Sequence, residues 1–292
     1  MFKTLLMALL IFLGMVGFDA WKNENKSAPP PVQKQEQQVT KKENPPKEET
    51  KEDKKMSEHE KKAVRAVFLA ILPDKKEWPE PIRKVYTAFN LDETIDPIRQ
   101  RPNWVPLKNM TQDLPRALIS IEDKDFYKHG AIAYESILRA AIENATAGKV
   151  VQGGSTLTQQ LVKNLFLTQE QNIGRKVEEA ILSLVMERQY SKDEIIELYL
   201  NTTYFGAGAY GIKEASYKYF DKAPSSLSLA ECAVIAALPN APSALNPLEN
   251  PLGCRKRQIL VLTKMQEYGH ITQAQVAEAK NERIYLTNGK TF

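Results

Sequence analysis

The chain has 292 residues, room for one sizeable domain with appendages. Its net charge of +4, from 40 Lys and Arg against 36 Asp and Glu, is mild, and no nucleic-acid-binding signature accompanies it. Three histidines and two cysteines, Cys232 and Cys254, show no metal-ligand spacing, which argues against a zinc site. Cys232 lies in an apolar helical run and reads as a buried thiol. A disulfide to Cys254 stays open for a domain outside the cytoplasm.

Thr4–Phe18 carries no charge. As a helix this run is ~22 Å long, short of a ~30 Å hydrocarbon core. Extended from Phe2 to Trp21 it becomes long enough, with Lys3 and Asp19 snorkelling at the edges. A cleavable signal peptide is the rival reading, but cleavage after Ala20 would put Phe18 at the −3 position, which fits poorly. Residues 1–21 therefore read as an uncleaved signal-anchor. Its amino terminus is placed in the cytoplasm because signal-anchors usually run that way; Lys3 on one side and Lys22 and Lys26 on the other do not decide it. Residues 22–62 are rich in Lys, Glu, Gln and Pro and cannot bury enough surface to fold, so they read as a disordered tether.

Residues 63–285 have globular composition. Apolar periodicity predicts helices over Ala63–Ile71, Glu80–Phe89, Asp113 to about Asp125, Ile132–Ala147 and Ile173–Tyr190. Val105–Leu107 looks extended, and Gly148–Gly154 reads as a loop. Ser191–Glu194 is a capping box that starts a helix ending near Asn201, and Thr202–Gly211, with three glycines, reads as a structured loop. Further helices are expected over Ile212–Phe220, from the Ser228 cap to Leu238, over Arg255–Tyr268 and over Thr272–Lys280, with Pro239–Pro251 irregular. There is no run of alternating strands and no internal repeat. The class is mainly α.

Three stretches could carry chemistry. In Gly153–Leu167, Ser155 is an expected N-cap, Leu157, Leu161 and Leu165 form one helical stripe, and Ser155, Gln159 and Lys163 form another. A hydroxyl, an amide and a cation behind a helix N-terminus suit an anion such as phosphate, although the pattern alone reads better as an ordinary amphipathic helix. Glu122 falls near the C-terminal end of its helix, where desolvation and the helix dipole would both raise its pKa, as a general base or acid requires. A lone Glu-Asp pair is more often a surface feature. Val177, Ile181, Leu184 and Val185 define the expected core stripe of the next helix. Glu179 lies opposite, with Leu182, Met186 and Arg175, either lining a cleft or forming an i, i+4 surface pair. His129 is read as shaping the turn behind Glu122. Tyr204-Phe205-Gly206 and Tyr210-Gly211 suit loop packing better than sugar stacking.

Together these stretches resemble the peptidoglycan glycosyltransferases, glycosyltransferase family 51, over about Val105 to Met265. Glu-Asp-x-x-Phe-x-x-His is met by Glu122, Asp123, Phe126 and His129. Gly-Gly-Ser-Thr-x-Thr-Gln-Gln is met by Gly153–Gln160, followed by Lys163 and Asn164. Arg-Lys-x-x-Glu is met by Arg175, Lys176 and Glu179. The fourth motif runs from Tyr190-Ser191-Lys192 through Glu197, Tyr199 and Asn201 into Tyr204-Phe205-Gly206 and Gly208–Gly211. One position departs: Ala131 stands where the family usually has glycine.

The resemblance implies a lysozyme-like glycosyltransferase domain with a smaller membrane-contacting lobe, the latter expected around Ala63–Ile71. It implies polymerisation of lipid II by inverting transfer of a lipid-pyrophosphate-linked glycan to the acceptor's 4-hydroxyl, with Glu122 as general base and Glu179 as the second catalytic carboxylate. Asp123, Phe126, Gly154, Ser155, Thr158, Gln159, Lys163, Asn164, Arg175, Lys176 and Tyr204 would bind substrate. Glu179 would organise the pyrophosphate site by orienting Arg175 or through a divalent cation such as Mg2+ or Mn2+. The partners implied are lipid II, the growing strand, the bacterial cytoplasmic membrane with the catalytic domain on its outer side, and other wall-synthesis proteins. After Phe220 there is no Ser-x-x-Lys motif, and Lys290-Thr291 is followed by Phe292, so the chain reads as a monofunctional polymerase or as one end of a longer protein. A lysozyme-like glycan-cleaving enzyme and a non-catalytic scaffold are the alternatives.

Overall fold

The computed structural model describes residues 80–134, 154–167 and 173–291. The anchor (1–21), the tether (22–62), the Ala63–Ile71 helix, most of the Ile132–Ala147 helix and nearly all of the Gly148–Gly154 loop lie outside the described residues. Glu80–Phe89 (α1) belongs to a first compact unit, Met1–Phe89; all that follows concerns the second, Asn90–Phe292.

Asp92–Arg99 (α2) is a helix that the periodicity did not reveal, because Pro97 stands inside it and proline ordinarily reads as a stop. Asp92 and Glu93 in its first turn and Arg99 in its last complement the dipole, while Ile95 and Ile98 are buried. The Tyr190 hydroxyl donates to Asp92. Asp113–Glu122 (α3) buries Leu114, Ala117, Leu118 and Ile119 and ends three residues before the expected Asp125. Asp123 leaves the helical region (φ −159°) and turns its carboxylate to other partners.

The second unit is built from two helix clusters. At the centre of the first is Leu229–Ala237 (α8), buried from Ala230 through Leu238. A helix apolar on every side must be covered on every side, and its alanines admit close neighbours. It packs against α3 and against Pro251–Glu267 (α9), while Gln273–Asn281 (α10) covers both α8 and α9. Its one acid, Glu231, accepts from Ser228 N in a capping box and from Lys222 Nζ at 2.6 Å. The buried face of α9 is Cys254, Gln258, Val261, Leu262 and Met265. Gln258 is satisfied there by donating to Ala230 O at 2.8 Å and accepting from Arg255 at 2.7 Å. Helix α9 starts at Pro251, four residues earlier than expected, because Asn250 caps the N–H of Gly253 at 3.0 Å. Cys232 and Cys254 are free, buried thiols, and burial pushes both above the usual range, Cys254 to about 12.

The second cluster packs Leu157–Phe166 (α4) against Ile173–Gln189 (α5) and Lys192–Thr202 (α6). Ile212–Phe220 (α7) contacts α6 and α8 and so ties the clusters together. Helix α5 reverses the expected orientation. Val177, Ile181 and Leu184 are 54%, 52% and 50% exposed, whereas Glu179, Leu182, Ser183 and Met186 are buried. The apolar count favoured the other face. The Glu179 face can be buried because its charge is neutralised by Arg175 and Lys176 on the same helix.

Among the described residues there are only two isolated β-bridges and no strand. One bridge, Tyr204 with Tyr210, closes the glycine-rich loop. Gly206 (φ +89°) has no room for a Cβ, which would stand 2.4 Å from Pro242 O, and at Gly211 (φ +84°) one would stand 2.6 Å from Asn201 O. The segment expected to be extended stays so only through Pro106, since Leu107–Asn109 winds into a 3-10 turn, and it is held by side chains of α6 in place of a partner strand. Asn201 Oδ1 accepts from Val105 N and its Nδ2 donates to Val105 O, both at 2.8 Å, and Glu197 Oε2 accepts from Leu107 N at 2.6 Å. Asn201→Ala leaves two buried backbone groups unpaired, which costs roughly 2–4 kcal/mol. The expected fall in Tm is roughly 5–15 °C by circular dichroism; a change under about 2 °C would show that this clamp is not structural.

Candidate active site

The site is assembled where the C-terminal end of α3 meets the N-terminal turns of α4. Asp123, just past α3, uses both carboxylate oxygens: Oδ2 accepts from Leu157 N at 3.0 Å and Oδ1 faces His129 Nε2 at 2.6 Å. His129 Nδ1 in turn faces Gly130 O at 2.7 Å, so the imidazole staples the 123–130 turn. Helix α4 is capped by Thr156, one residue after the expected Ser155, in a reciprocal capping box with Gln159. The Thr156 hydroxyl donates to Ala131 O at 2.8 Å. Ala131 is buried and is not among the residues with positive φ, so the turn accepts alanine there without strain.

With the turn fixed, Glu122 faces α4. Its Oε2 accepts from Gln160 Nε2 at 3.0 Å, and Gln160 Oε1 accepts from the Tyr199 hydroxyl at 3.1 Å. Burial, and then the charge of Glu122, push the Tyr199 phenol up, so it stays a donor and sets the amide's orientation. Burial also raises the Glu122 carboxyl, and Asp123 adds to the rise; the Gln160 hydrogen bond, Arg257 and Lys163 oppose it. Such a group is desolvated, less acidic than an ordinary glutamic acid and pinned through one oxygen. These are the properties of a general base.

Glu179, the other carboxylate singled out in the sequence, is fully buried, 2% exposed. Arg175 donates to its Oε2 at 3.2 Å and Lys176 to its Oε1, and the same Lys176 reaches Ser155 Oγ at 3.1 Å. Glu179 and Glu122 therefore both attach to α4, the first through Lys176 at its N-terminal entry and the second through Gln160 one turn in. The donor set does not fit a divalent cation, since both Glu179 oxygens already face cations. Among the described residues no cluster of three acidic, His or Cys side chains is placed to hold a metal.

The first turn of α4 keeps little backbone for an external anion. Leu157 N bonds Asp123, Gln159 N bonds Thr156 Oγ1, and Gln159 spends its own oxygen on Thr156 N. Thr158 Oγ1 donates to Glu187 at 2.6 Å, and Lys192 joins Glu187 at 2.8 Å while lying 4.3 Å from the centroid of the buried Phe126 ring. Thr158 and Phe126 thus tie α4, α5 and α6 to the turn that follows α3. Lys163 is exposed and close enough to act on the charge of Glu122. Lys163 and Lys176 are the cations that reach solvent here.

A family model described as Transglycosylase matches residues 90–266. The chain belongs to the transglycosylase family. Penicillin-binding protein 1A of Aquifex aeolicus is 46% identical over 218 residues, covering 73% of this chain and 30% of that protein. A protein of Cupriavidus necator, provisionally named a transglycosylase, is 40% identical over 194 residues, 66% of this chain and 84% of its own length. Penicillin-binding protein 1F of Bacillus subtilis is 39% identical over 197 residues, 68% of this chain and 28% of that protein. The chain thus spans under a third of the matched penicillin-binding proteins.

Within the transglycosylase domain, the structure gathers Glu122, Asp123, Phe126, Gly154, Ser155, Thr158, Gln159, Lys163, Arg175, Lys176 and Glu179 around α4. Asn164 is exposed on the same helix. Tyr204 belongs to a different feature, its ring 4.7 Å from that of Tyr210 in the glycine-rich loop. Three groups that bear on Glu122 escaped selection as site residues. Gln160 stood within the second motif, and Tyr199 within the fourth, but neither bears a local sign of its partner. Arg257 had no sign at all.

The raised pKa of Glu122 has a consequence for stability. Its folded value lies above its unfolded one, so the fold is penalised as pH rises from the ordinary glutamate range (about 4.3) through the folded value, and the penalty persists above it. Glu122→Gln, which cannot ionise, is therefore expected to be at least as stable as wild type at pH 7, with the difference vanishing near pH 4. Urea unfolding at both pH values checks this; a variant clearly less stable at pH 7 would show that the buried carboxylate is not under strain.

Proposed function

We propose that this domain polymerises lipid II, the lipid-pyrophosphate disaccharide-peptide, into glycan strands. The observation that carries the reading is the half-buried Glu122 carboxylate, held by Gln160 on one oxygen, in a chain of the transglycosylase family. Its Oε1 makes no hydrogen bond among the described residues. That oxygen takes the proton of the acceptor's 4-hydroxyl as the hydroxyl oxygen attacks the donor's anomeric carbon. The bond to the lipid pyrophosphate breaks on the opposite side, with inversion, and the diphosphate leaves with the electron pair.

Charge builds on the diphosphate during this step, and fixed cations beside it lower the barrier. Lys163 and Lys176 are the groups we assign to that task, with Ser155 supplying a hydroxyl. Glu179 orients Arg175 and Lys176 and takes no proton. Asp123, Phe126, Thr158 and Gln159 act by fixing the frame. The domain is proposed to be lysozyme-like, with a smaller lobe in contact with the membrane. The exposed Val177, Ile181 and Leu184 of α5 support such a contact. The apolar run in residues 1–21 supports a single-pass anchor in a bacterial cytoplasmic membrane with this domain outside; among the described residues no helix is long and apolar enough to cross.

The test is incubation of the full chain with lipid II and, separately, with finished peptidoglycan. Strands are expected from lipid II only, and Glu122→Gln should lower the rate about 10²–10⁴-fold. Cleavage of finished peptidoglycan without polymerisation would replace the reading with that of a glycan-cleaving enzyme. A further expectation concerns α5: Ile181→Glu should reduce co-sedimentation with anionic vesicles several-fold while leaving the melting curve in place. Unchanged sedimentation would remove α5 from the membrane contact.

A further inference from the structure

The hydrogen bond that Glu122 receives does not end at Gln160. Gln160 Nε2 donates to Glu122 Oε2 at 3.0 Å, and Gln160 Oε1 accepts from the Tyr199 hydroxyl at 3.1 Å. Three helices, α3, α4 and α6, supply one member each. Tyr199, at the far end, is 1% exposed and cannot turn its hydroxyl to water. The two ends of a glutamine amide have nearly the same shape and opposite polarity. Turned one way, the group donates to a carboxylate and stabilises the ion. Turned the other way, it offers Glu122 an oxygen, which only the protonated acid can meet.

Glu122 does not fix that choice by itself, because each orientation suits one of its two protonation states. The decision falls to the phenol. Burial, and then the charge of Glu122, keep the proton on Tyr199, so it has a hydrogen to place, and it places it on Gln160 Oε1. We propose that Tyr199 is a positioning residue for the base: acting through Gln160, it keeps the amide N–H turned to Glu122 Oε2 and leaves Oε1 to take the acceptor's proton. This inference rests on Glu122 being the base.

A neutral chain suits the task. A cation bonded directly to Glu122 would hold the carboxylate too weakly basic to take a proton. An amide lowers the pKa less, and it passes no proton on, so the chain orients the base without draining it. The other groups around Glu122 act by charge and do not select the amide's orientation. Asp123 is engaged by His129 and Leu157 N. Lys163 on α4 and Arg257 on α9 bear on its charge, but among the described residues neither makes a hydrogen bond or ion pair with it. On α8 the acid Glu231 is tied to Lys222 and the Ser228 cap.

The experiment measures kcat and KM with lipid II from pH 4.5 to 9. It compares the full wild-type chain with Tyr199→Phe, Gln160→Met, the two combined, and Glu122→Gln. Activity needs the ionised carboxylate, so a raised pKa moves the acid limb up. Tyr199→Phe keeps the ring and removes one oxygen. It is expected to shift that limb upward by roughly half to one pH unit and to lower kcat about five- to tenfold, with KM within about twofold of wild type. Gln160→Met should do at least as much, and adding Tyr199→Phe to it should change nothing further, because the path runs through the amide. An unmoved limb in Tyr199→Phe, or an equal loss from Tyr199→Phe with and without Gln160, would overturn the inference. Should Tyr199→Phe not melt cooperatively, Gln160→Met decides alone: a raised limb supports the chain, and an unmoved one sinks it. An active Glu122→Gln would instead overturn the assignment of the base, whereas an inactive one beside an unmoved Tyr199→Phe limb removes Tyr199 only.

Discussion

The carboxylate of Asp123 joins the end of one helix to the start of another, and the rest of the site depends on that joint. A C-terminal end and an N-terminal end expose unsatisfied groups of opposite kind. Asp123 places an anion against the first N–H of α4 while its own backbone terminates α3. The favourable interaction of an anion with a helix N-terminus is thus used within the fold. Because the joint fixes α4 against α3, the side chain one residue earlier, Glu122, meets Gln160 and, among the described residues, no other hydrogen-bond donor.

Glu122, half-buried, and Glu179, fully buried, both attach to α4, and their surroundings set them to different work. Glu179 has each oxygen engaged by a cation, Arg175 on one and Lys176 on the other. Glu122 has a neutral amide on one oxygen and cations held at a distance, so its charge is tolerated but not quenched. Pairs of acids whose environments diverge in this way are how one scaffold separates an acid–base role from a structural one. Cooperative support comes from Thr158, Glu187, Lys192 and Phe126, which bind three helices and the turn after α3 to one another a short way from the reacting groups.

Much of the helical order was legible because its start signals are local. The Ser191–Glu194 and Ser228–Glu231 boxes stand in the structure where the sequence places them, and Thr272 caps α10 through Gln275. Asp92–Arg99 was hidden by Pro97, whose local meaning was overruled by burial of Ile95 and Ile98. Helix α5 was turned the wrong way round because counting apolar residues cannot see that Arg175 and Lys176 neutralise Glu179. The motif residues of the site could be named, but not their division into those that touch a ligand and those that hold the frame. Gln160 and Glu122 lie 38 positions apart, and only the packing of α3 on α4 reveals that one serves the other.

The reversed face of α5 has a bearing on how a lipid-linked substrate would be met. A single helix, about 10 Å across, carries greasy side chains on one flank and the Glu179–Arg175–Lys176 triplet on the other. If the greasy flank rests in the bilayer interface, as proposed, the triplet is suspended at the height where headgroup phosphates lie. A diphosphate could then be gripped while its hydrocarbon tail stays dissolved among the lipids, and the helix itself serves as the gauge of depth.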